Sequence, residues 1–238
     1  MEKTVKGNLN IEKYHSEAVR IRGMTSIRTS NTEMLHIIIA WLAISYAFSI
    51  LLLWSSLGRR PVTEELLNGI INPLVISLST VGLSFLVHEM SHKIVAQRFG
   101  SWAEFRMSPF MLFLMLFLVY EFGILFAAPG AVMIYGGQIG KRENGLISLA
   151  GPLSNIFLGL AFFLLLSETG ILYEIGRYGV IINIALALFN LIPFGIFDGR
   201  KIWNWNKPVY LTVVVAALAL LIFSVSGLMT AVNPDQPF

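Results

Sequence analysis

The residues in this sequence whose spacing best suits chemistry are His88, Glu89 and His92, which form an H-E-x-x-H pattern. On an α-helix, side chains four positions apart lie about 40° apart around the axis, so both imidazoles can reach one metal ion. Glu89 projects about 100° from His88 and about 60° from His92, close enough to contact a water molecule on that ion. A hydrolytic zinc site needs this combination, because the ion activates the water and a carboxylate removes its proton.

The surroundings of the pattern favour a functional site. Residues 75–87 before it and 93–99 after it are mostly apolar. Three ionisable side chains in apolar surroundings are costly, and in a membrane segment they mark a functional site by default. The alternative is a surface helix that carries the pattern by accident, and the apolar flanks disfavour it.

The composition is typical of a membrane protein with several spans. The 238-residue chain is 55% hydrophobic and only 13% charged, which a soluble domain rarely is. The net charge of +3 is explained by basic residues that flank spans, so it implies no nucleic-acid partner. The chain has no cysteine, so His, Asp or Glu must hold any transition metal.

We predict an all-α polytopic membrane protein with five to six transmembrane helices. Residues 1–33 form a polar cytoplasmic arm, residues 34–231 the membrane domain and residues 232–238 a short tail. Each predicted span is long enough to cross a hydrocarbon core of about 30 Å. Lys93 lies near a span end, and we expect its amine to reach the interface. The predicted spans are residues 34–57, 72–98, 145–167, 178–198 and 208–231.

Residues 99–144 are the least regular part of the membrane domain. Residues 107–120 are apolar enough for a helix, but prolines and glycines interrupt the region. Residues 122–128 and 131–135 flank a Pro-Gly turn and are predicted to pair as a β-hairpin. We expect this segment to be re-entrant, which would make it enter and leave the membrane on one side.

A catalytic zinc usually takes three protein ligands, so a third ligand is needed after His92. Asp198 is the best candidate, because it ends an apolar span beside Gly199 and lies eight residues after Asn190. An aspartate that simply ends a helix at the interface is the alternative. The other candidates are Glu104, Glu121, Glu143, Glu168 and Glu174.

The shared metal also predicts a topology. His92 and Asp198 both lie near the C-terminal ends of their predicted spans, so these spans must run parallel. An odd number of crossings must separate them, and residues 145–167 supply one. With the N-terminus in the cytoplasm and residues 99–144 not crossing, thirteen Lys and Arg lie inside and three outside. This split agrees with the positive-inside rule.

Two motifs together resemble the signatures of site-2 proteases, the intramembrane zinc metalloproteases. They are His88-Glu89-x-x-His92 and Asn190-x-x-Pro193-x-x-x-x-Asp198-Gly199, with Gly151-Pro152-Leu153-Ser154-Asn155 similar to the family segment between them. The resemblance covers residues 72–200, a catalytic core without room for a PDZ or CBS domain. It implies one Zn²⁺ ion held by His88, His92 and Asp198, with Glu89 as the catalytic base.

The resemblance further implies regulated intramembrane proteolysis in a prokaryotic cell membrane. The expected partners are a transmembrane protein substrate and the lipid bilayer, while the oligomeric state stays open. Asn190, Asn155 and Pro193 are predicted to contact the substrate. Two other functions compete with this one, a CAAX-type membrane zinc endopeptidase and a metal-binding transporter or sensor without hydrolysis.

Overall fold

The computed structural model describes residues 27–125, 129–135 and 139–231, and most of them are helical. Five helical segments in this part of the chain are long and apolar enough to cross a membrane. This confirms the predicted all-α architecture and is consistent with an integral membrane protein. The segments are Asn31–Leu57, Ile71–Arg98, Lys141–Ser167, Ile171–Asn190 and Lys207–Val225.

The first helix begins inside the predicted polar arm. Helix α1 spans Asn31–Leu57, and the Oγ atom of Ser30 caps it by accepting the N–H of Glu33 at 3.1 Å. Gly58, in the left-handed region with φ 63°, ends the helix. Glu33 is therefore a buried residue of the first turn and not part of a solvated arm. Residues 1–26 lie outside the described part of the chain.

The motif lies in the second long segment. After the short helix α2 (Thr63–Gly69), this segment consists of α3 (Ile71–Ser77), a π-helical turn (Leu78–Gly82) and α4 (Leu83–Arg98). The H-E-x-x-H pattern occupies the middle of α4, as its spacing requires.

The irregular region between the motif and the third long segment contains two strands and one helix. These elements are β1 (Trp102–Met107), α5 (Pro109–Phe122) and β2 (Gly130–Tyr135). The strands form a two-stranded antiparallel sheet that pairs Trp102 with Tyr135 and Met107 with Gly130.

The predicted hairpin between residues 122–128 and 131–135 is wrong in its first strand. The second predicted strand exists as β2, but its partner is β1, which precedes α5. The reason is that the apolar run of α5 continues as helix through Phe122 and ends at Gly123, where φ is 64°. Residues 126–128 lie outside the described part of the chain.

Helix α5 leaves the sheet and the chain returns to it. At the far end of α5, Glu121 pairs with Arg60, which follows α1. At the near end, the N–H of Ser108 donates to the carbonyl of Pro129 at 2.9 Å. The segment therefore starts and finishes at the same place, as a re-entrant segment does.

The remaining helices complete the domain. They are α6 (Lys141–Phe162, extended by a 3₁₀ turn at Phe163–Ser167), α7 (Ile171–Asn190), α8 (Asp198–Trp205) and α9 (Lys207–Ala231). The span predicted at residues 178–198 is too late in the chain, because α7 already ends at Asn190. Pro193 and Gly195, with φ 66°, then form a turn that separates α7 from α8.

Helix α6 packs directly against the motif helix. A Cβ atom at Gly151 would lie 2.5 Å from the His92 ring and 2.6 Å from the His88 ring. Gly151, Asn155 and Gly159, spaced by four, form the face of α6 turned toward α4 and α7. Such a small-residue face allows close approach of helices, and here it brings α6 to the two histidines.

Candidate metal centre

The structure brings His88, His92 and Asp198 together, although the last two are 106 positions apart in the sequence. The Nε2 atoms of the two histidines lie 3.0 Å apart. The Oδ2 atom of Asp198 lies 3.0 Å from Nε2 of His92 and 3.5 Å from Nε2 of His88. All three side chains are buried. Three potential ligand atoms therefore converge on one point.

The outer nitrogen of each histidine ring is held by α6. The Nδ1 atom of His88 lies 2.6 Å from Oδ1 of Asn155, and Nδ1 of His92 lies 2.7 Å from the carbonyl of Ile147. Both partners accept a hydrogen bond, so each Nδ1 carries the proton and each Nε2 presents a lone pair. This is the usual way in which proteins orient metal-binding histidines.

A second layer of hydrogen bonds fixes Asn155 itself. Its amide nitrogen donates to Oδ1 of Asn183 on α7 at 3.0 Å, and Asn183 donates to Oγ of Ser84 at 2.7 Å. Asn155 and Asn183 are completely buried. Ser84 lies on α4, so this series of hydrogen bonds joins α4, α6 and α7 in one polar network behind the histidines.

The third potential ligand, the carboxylate of Asp198, is positioned by the turn after α7. Asp198 is the first residue of α8, and Gly199 beside it packs against the carbonyl of Leu191, where a side chain would not fit. Burial by itself raises the pKa of the Asp198 carboxyl, but the positive charge that the His92 and His88 rings carry when they are protonated outweighs it and holds that pKa well below its usual range. Asp198 is therefore available as a carboxylate.

This donor set suits zinc. In tetrahedral zinc sites with bonds of about 2.0–2.2 Å, the ligand atoms lie roughly 3.3–3.5 Å from one another. The three observed separations, between 3.0 and 3.5 Å, are close to this spacing. Two imidazoles and one carboxylate are a typical set for a catalytic zinc, which keeps its fourth position for water or substrate.

Glu89 lies next to this group and is held by the sheet. Its Oε2 atom accepts the backbone N–H of Val132 on β2 at 3.1 Å. Glu89 as a whole residue is less buried than the two histidines that flank it. The hydrogen bond from β2 thus orients its carboxylate beside the ligand group.

A comparison with known proteins agrees with this geometry. The chain is 37% identical over 203 residues to a protein of Methanocaldococcus jannaschii that carries the provisional name of zinc metalloprotease. The match covers 84% of this chain and 98% of the relative. The chain belongs to this zinc metalloprotease family. The cofactor is a zinc ion, for which His88, His92 and Asp198 offer one buried binding group. No family model and no solved structure matches the chain.

The three residues of the metalloprotease that were predicted to contact the substrate lie in different surroundings. Asn155 is buried behind His88 with its oxygen and nitrogen both engaged, so it orients the histidine here, and substrate contact by Asn155 stays a prediction. Asn190 ends α7 and donates to the carbonyl of Leu186 at 3.0 Å, and Pro193 is exposed in the turn before Asp198. For Asn190 and Pro193, substrate contact stays a prediction.

The alternative third ligands lie elsewhere or are already paired. Glu121 pairs with Arg60 at the far end of α5, and Glu104 on β1 pairs with Arg106. Three residues of the site were not predicted from the sequence, namely Asn183, Ile147 and Val132. Asn183 carries a signal, a polar residue in an apolar span, whereas Ile147 and Val132 contribute only backbone atoms and carry none.

Proposed function

We propose that this metalloprotease hydrolyses peptide bonds within or near the transmembrane segments of membrane-protein substrates, as site-2 proteases do. The observation that carries the proposal is the location of the metal group. His88 and His92 belong to the apolar segment Ile71–Arg98, which is long enough to cross a membrane, and Asp198 joins them from the turn after another such segment. A zinc group built from candidate spans suits a substrate that is itself in the bilayer.

Each residue of the centre has a separate task in this reaction. When bound, zinc polarises the scissile carbonyl and lowers the pKa of a bound water. Glu89 accepts the proton of the attacking water and later returns it to the leaving amine. The N–H of Val132 keeps the carboxylate of Glu89 turned toward the site. Asn155 and the carbonyl of Ile147 keep the histidine Nε2 atoms available by holding the protons on Nδ1.

The sheet offers a way to hold an extended substrate. Phe105 and Val132 face each other across the sheet, and both N–H groups donate outward, to Glu33 and to Glu89. In an antiparallel sheet, N–H groups that donate outward identify a non-hydrogen-bonded pair, in which the backbone groups of both residues point away from the partner strand. The outer edge of β2 therefore faces the motif helix. An unwound substrate segment could add beside Glu89 by pairing with the groups of this edge that Glu89 does not occupy.

We also propose an orientation in a prokaryotic cell membrane with the N-terminus in the cytoplasm. The thirteen-to-three division of Lys and Arg supports it, together with the re-entrant path that starts at Ser108 and returns at Pro129. In this orientation the metal group lies nearer the cytoplasmic face, from which water can reach it.

The competing functions have less support. A CAAX-type endopeptidase requires a later glutamate as ligand, whereas the group of potential ligands among the described residues contains Asp198. A transporter or sensor needs no base beside its metal, and Glu89 is held at this position by a dedicated backbone contact.

The decisive experiment measures zinc content and cleavage of a test transmembrane substrate in liposomes. We expect Glu89→Gln to keep about one zinc per chain and to lose at least about a thousandfold in kcat, because an amide cannot accept the proton. Glu168→Gln, an exposed carboxylate beyond α6, serves as the control and should cleave like the wild type. Cleavage by Glu89→Gln near the wild-type rate would refute the assignment, and zinc retention without cleavage in the wild type would favour a metal-binding protein.

A further inference from the structure

A cavity of about 560 Å³ opens between the beginning of α6 and helix α8, on the side of Asp198 that faces away from the histidines. Helix α6 contributes Lys141 and Asn144, and the turn before α8 contributes residues 195–197. Helix α8 completes the cavity with Arg200, Lys201 and Asn204. Nothing in the proposed peptidase reaction uses this space.

The charge of the cavity has one sign. Its lining contains three basic side chains and no carboxylate. Arg200 donates to the carbonyl of Gly195 at 3.2 Å, and Lys201 lies 3.7 Å from Oδ1 of Asp198. Within the described ranges, Lys141 and Arg200 form no ion pair. Three cations around one open space, with two amide side chains beside them, suit an anion with several acceptor oxygens.

The position of the cavity indicates where this anion comes from. Three candidate spans have their ends here, because α6 begins at Lys141, α7 ends at Asn190 and α9 begins at Lys207. The turn between α7 and α8 carries two apolar side chains that are largely exposed, Phe194 at 66% and Ile196 at 86%. Large apolar groups beside a cationic cavity at span ends suit the boundary between lipid headgroups and acyl chains.

We propose that this cavity binds the phosphate of an anionic phospholipid. Lys141, Arg200 and Lys201 surround the phosphate, while Asn144 and Asn204 can donate to the remaining headgroup oxygens. Phe194 and Ile196 contact the beginning of the acyl chains. The proposal rests on the membrane location of the chain and is independent of whether the site cleaves peptides.

The cavity is coupled to the metal centre through one shared side chain. Lys201 contacts Oδ1 of Asp198, whose Oδ2 faces the two histidines. A phosphate in the cavity draws the Lys201 amine away from Asp198, and the carboxylate then keeps more of its negative charge for the metal. Because Lys201 is 45% exposed, this effect is small, and anionic lipid tightens zinc binding only severalfold.

The test measures lipid retention by the zinc-loaded full-length protein with native mass spectrometry, after reconstitution in phosphatidylcholine with or without phosphatidylglycerol. We expect bound phosphatidylglycerol on the wild type and equally on Glu89→Gln, which separates this result from peptidase activity. A Lys141→Gln/Arg200→Gln variant should lose retention about tenfold. Arg142→Gln, the same charge change at the next residue, does not line the cavity and should lose less than about twofold.

The remaining outcomes are equally informative. Zinc content equal to that of the wild type shows that the double variant is folded. Equal loss in Arg142→Gln and in the double variant would mean general surface attraction and would overturn the proposal. Competition by glycerol phosphate supports phosphate recognition, whereas binding of inorganic phosphate or an acidic peptide with no lipid retention would assign the cavity to a soluble anion or to a protein segment and refute the lipid.

Coupling is measured separately, as the zinc dissociation constant in the two lipid mixtures. Phosphatidylglycerol should lower it severalfold for the wild type and leave it unchanged for Lys201→Gln. A lipid effect that persists in Lys201→Gln would contradict the shared side chain.

Discussion

Helix α4 contributes to two buried polar clusters that differ in how fully their atoms are paired. One is the metal group, in which His88 and His92 face Asp198. The other is an ion pair between Lys93 and Glu33 of α1, with side chains 1% and 0% exposed. Adjacent residues of one helix, His92 and Lys93, thus belong to clusters with different properties.

The two charged groups of the ion pair find their partners within the protein. The Lys93 amine lies 2.6 Å from Oε2 of Glu33 and donates to Oγ1 of Thr29 at 2.8 Å. The other oxygen of Glu33 accepts the N–H of Phe105 at 2.9 Å. The prediction that the Lys93 amine reaches the interface is therefore wrong. The amine stays buried, and the nearby carboxylate of Glu33 compensates its charge.

The metal group is arranged in the opposite way. Its Nδ1 atoms are paired by α6, but its Nε2 atoms and Asp198 point at each other and leave room for a ligand between them. This contrast distinguishes a structural cluster from one suited to bind a ligand. In the first, the opposite charges pair with each other, whereas in the second, lone pairs converge.

The two clusters are also connected through the sheet. Glu33 holds the N–H of Phe105 on β1, and Glu89 holds the N–H of Val132, which pairs with Phe105 on β2. Glu89 and Lys93 lie one helical turn apart on α4. The ion pair is therefore linked through β1 to the strand that holds the Glu89 carboxylate.

The largest expected effect comes from the metal group. Asp198→Asn should weaken zinc binding by more than about a hundredfold and reduce cleavage in proportion, because a neutral amide is a poor zinc ligand. The fold should persist, since the helices that carry the cluster pack mainly through apolar contacts. Zinc titration and a thermal melt in detergent test both statements. Unchanged zinc affinity would show that the third ligand lies elsewhere.

Changes to the ion pair should affect the stability of the fold and not the zinc affinity. Lys93→Met leaves the Glu33 carboxylate buried without its cation, and we expect a loss of about 3–5 kcal/mol in the free energy of unfolding. The Glu33→Gln/Lys93→Met double variant removes both charges and should recover most of this loss, with zinc affinity close to that of the wild type. Denaturant titrations of the three proteins measure it. A zinc affinity that falls in the folded double variant would erase the distinction between the clusters.

The smallest effect concerns the link between them. Val132→Pro removes the N–H that donates to Glu89, at a strand edge where proline is tolerated, and it also replaces a partly buried apolar side chain. We expect about a tenfold lower kcat with unchanged zinc content, since a hydrogen bond to a charged group contributes about 1.5–3 kcal/mol before water replaces it.

Ile134→Pro is the matched control for this prediction. Ile134 lies two residues along β2, so its N–H points to the same edge without a contact to Glu89. Equal loss of kcat in the two proline variants would indicate that damage to the strand, and not the Glu89 contact, causes the effect.

The features that depend on local periodicity could be predicted from the sequence alone. The i, i+4 spacing of His88 and His92 puts both rings on one helical face in any environment, and runs of apolar residues specify spans wherever they occur. The prolines and glycines around Asp198 likewise marked an irregular backbone. These properties depend on residues within one or two helical turns, which is why they are readable without a fold.

The contacts between distant groups could not be predicted in this way, because they depend on how the helices and strands pack. Helix α6 supplies Asn155 and the Ile147 carbonyl to histidines 67 and 55 residues away, and β2 pairs with β1 instead of the stretch beside it. From the sequence, Glu33 and Lys93 are ordinary charged residues near span ends, whereas in the structure they are buried together. A local sequence pattern is compatible with many contact partners. Burial and hydrogen bonding throughout the domain therefore determine which partner is found.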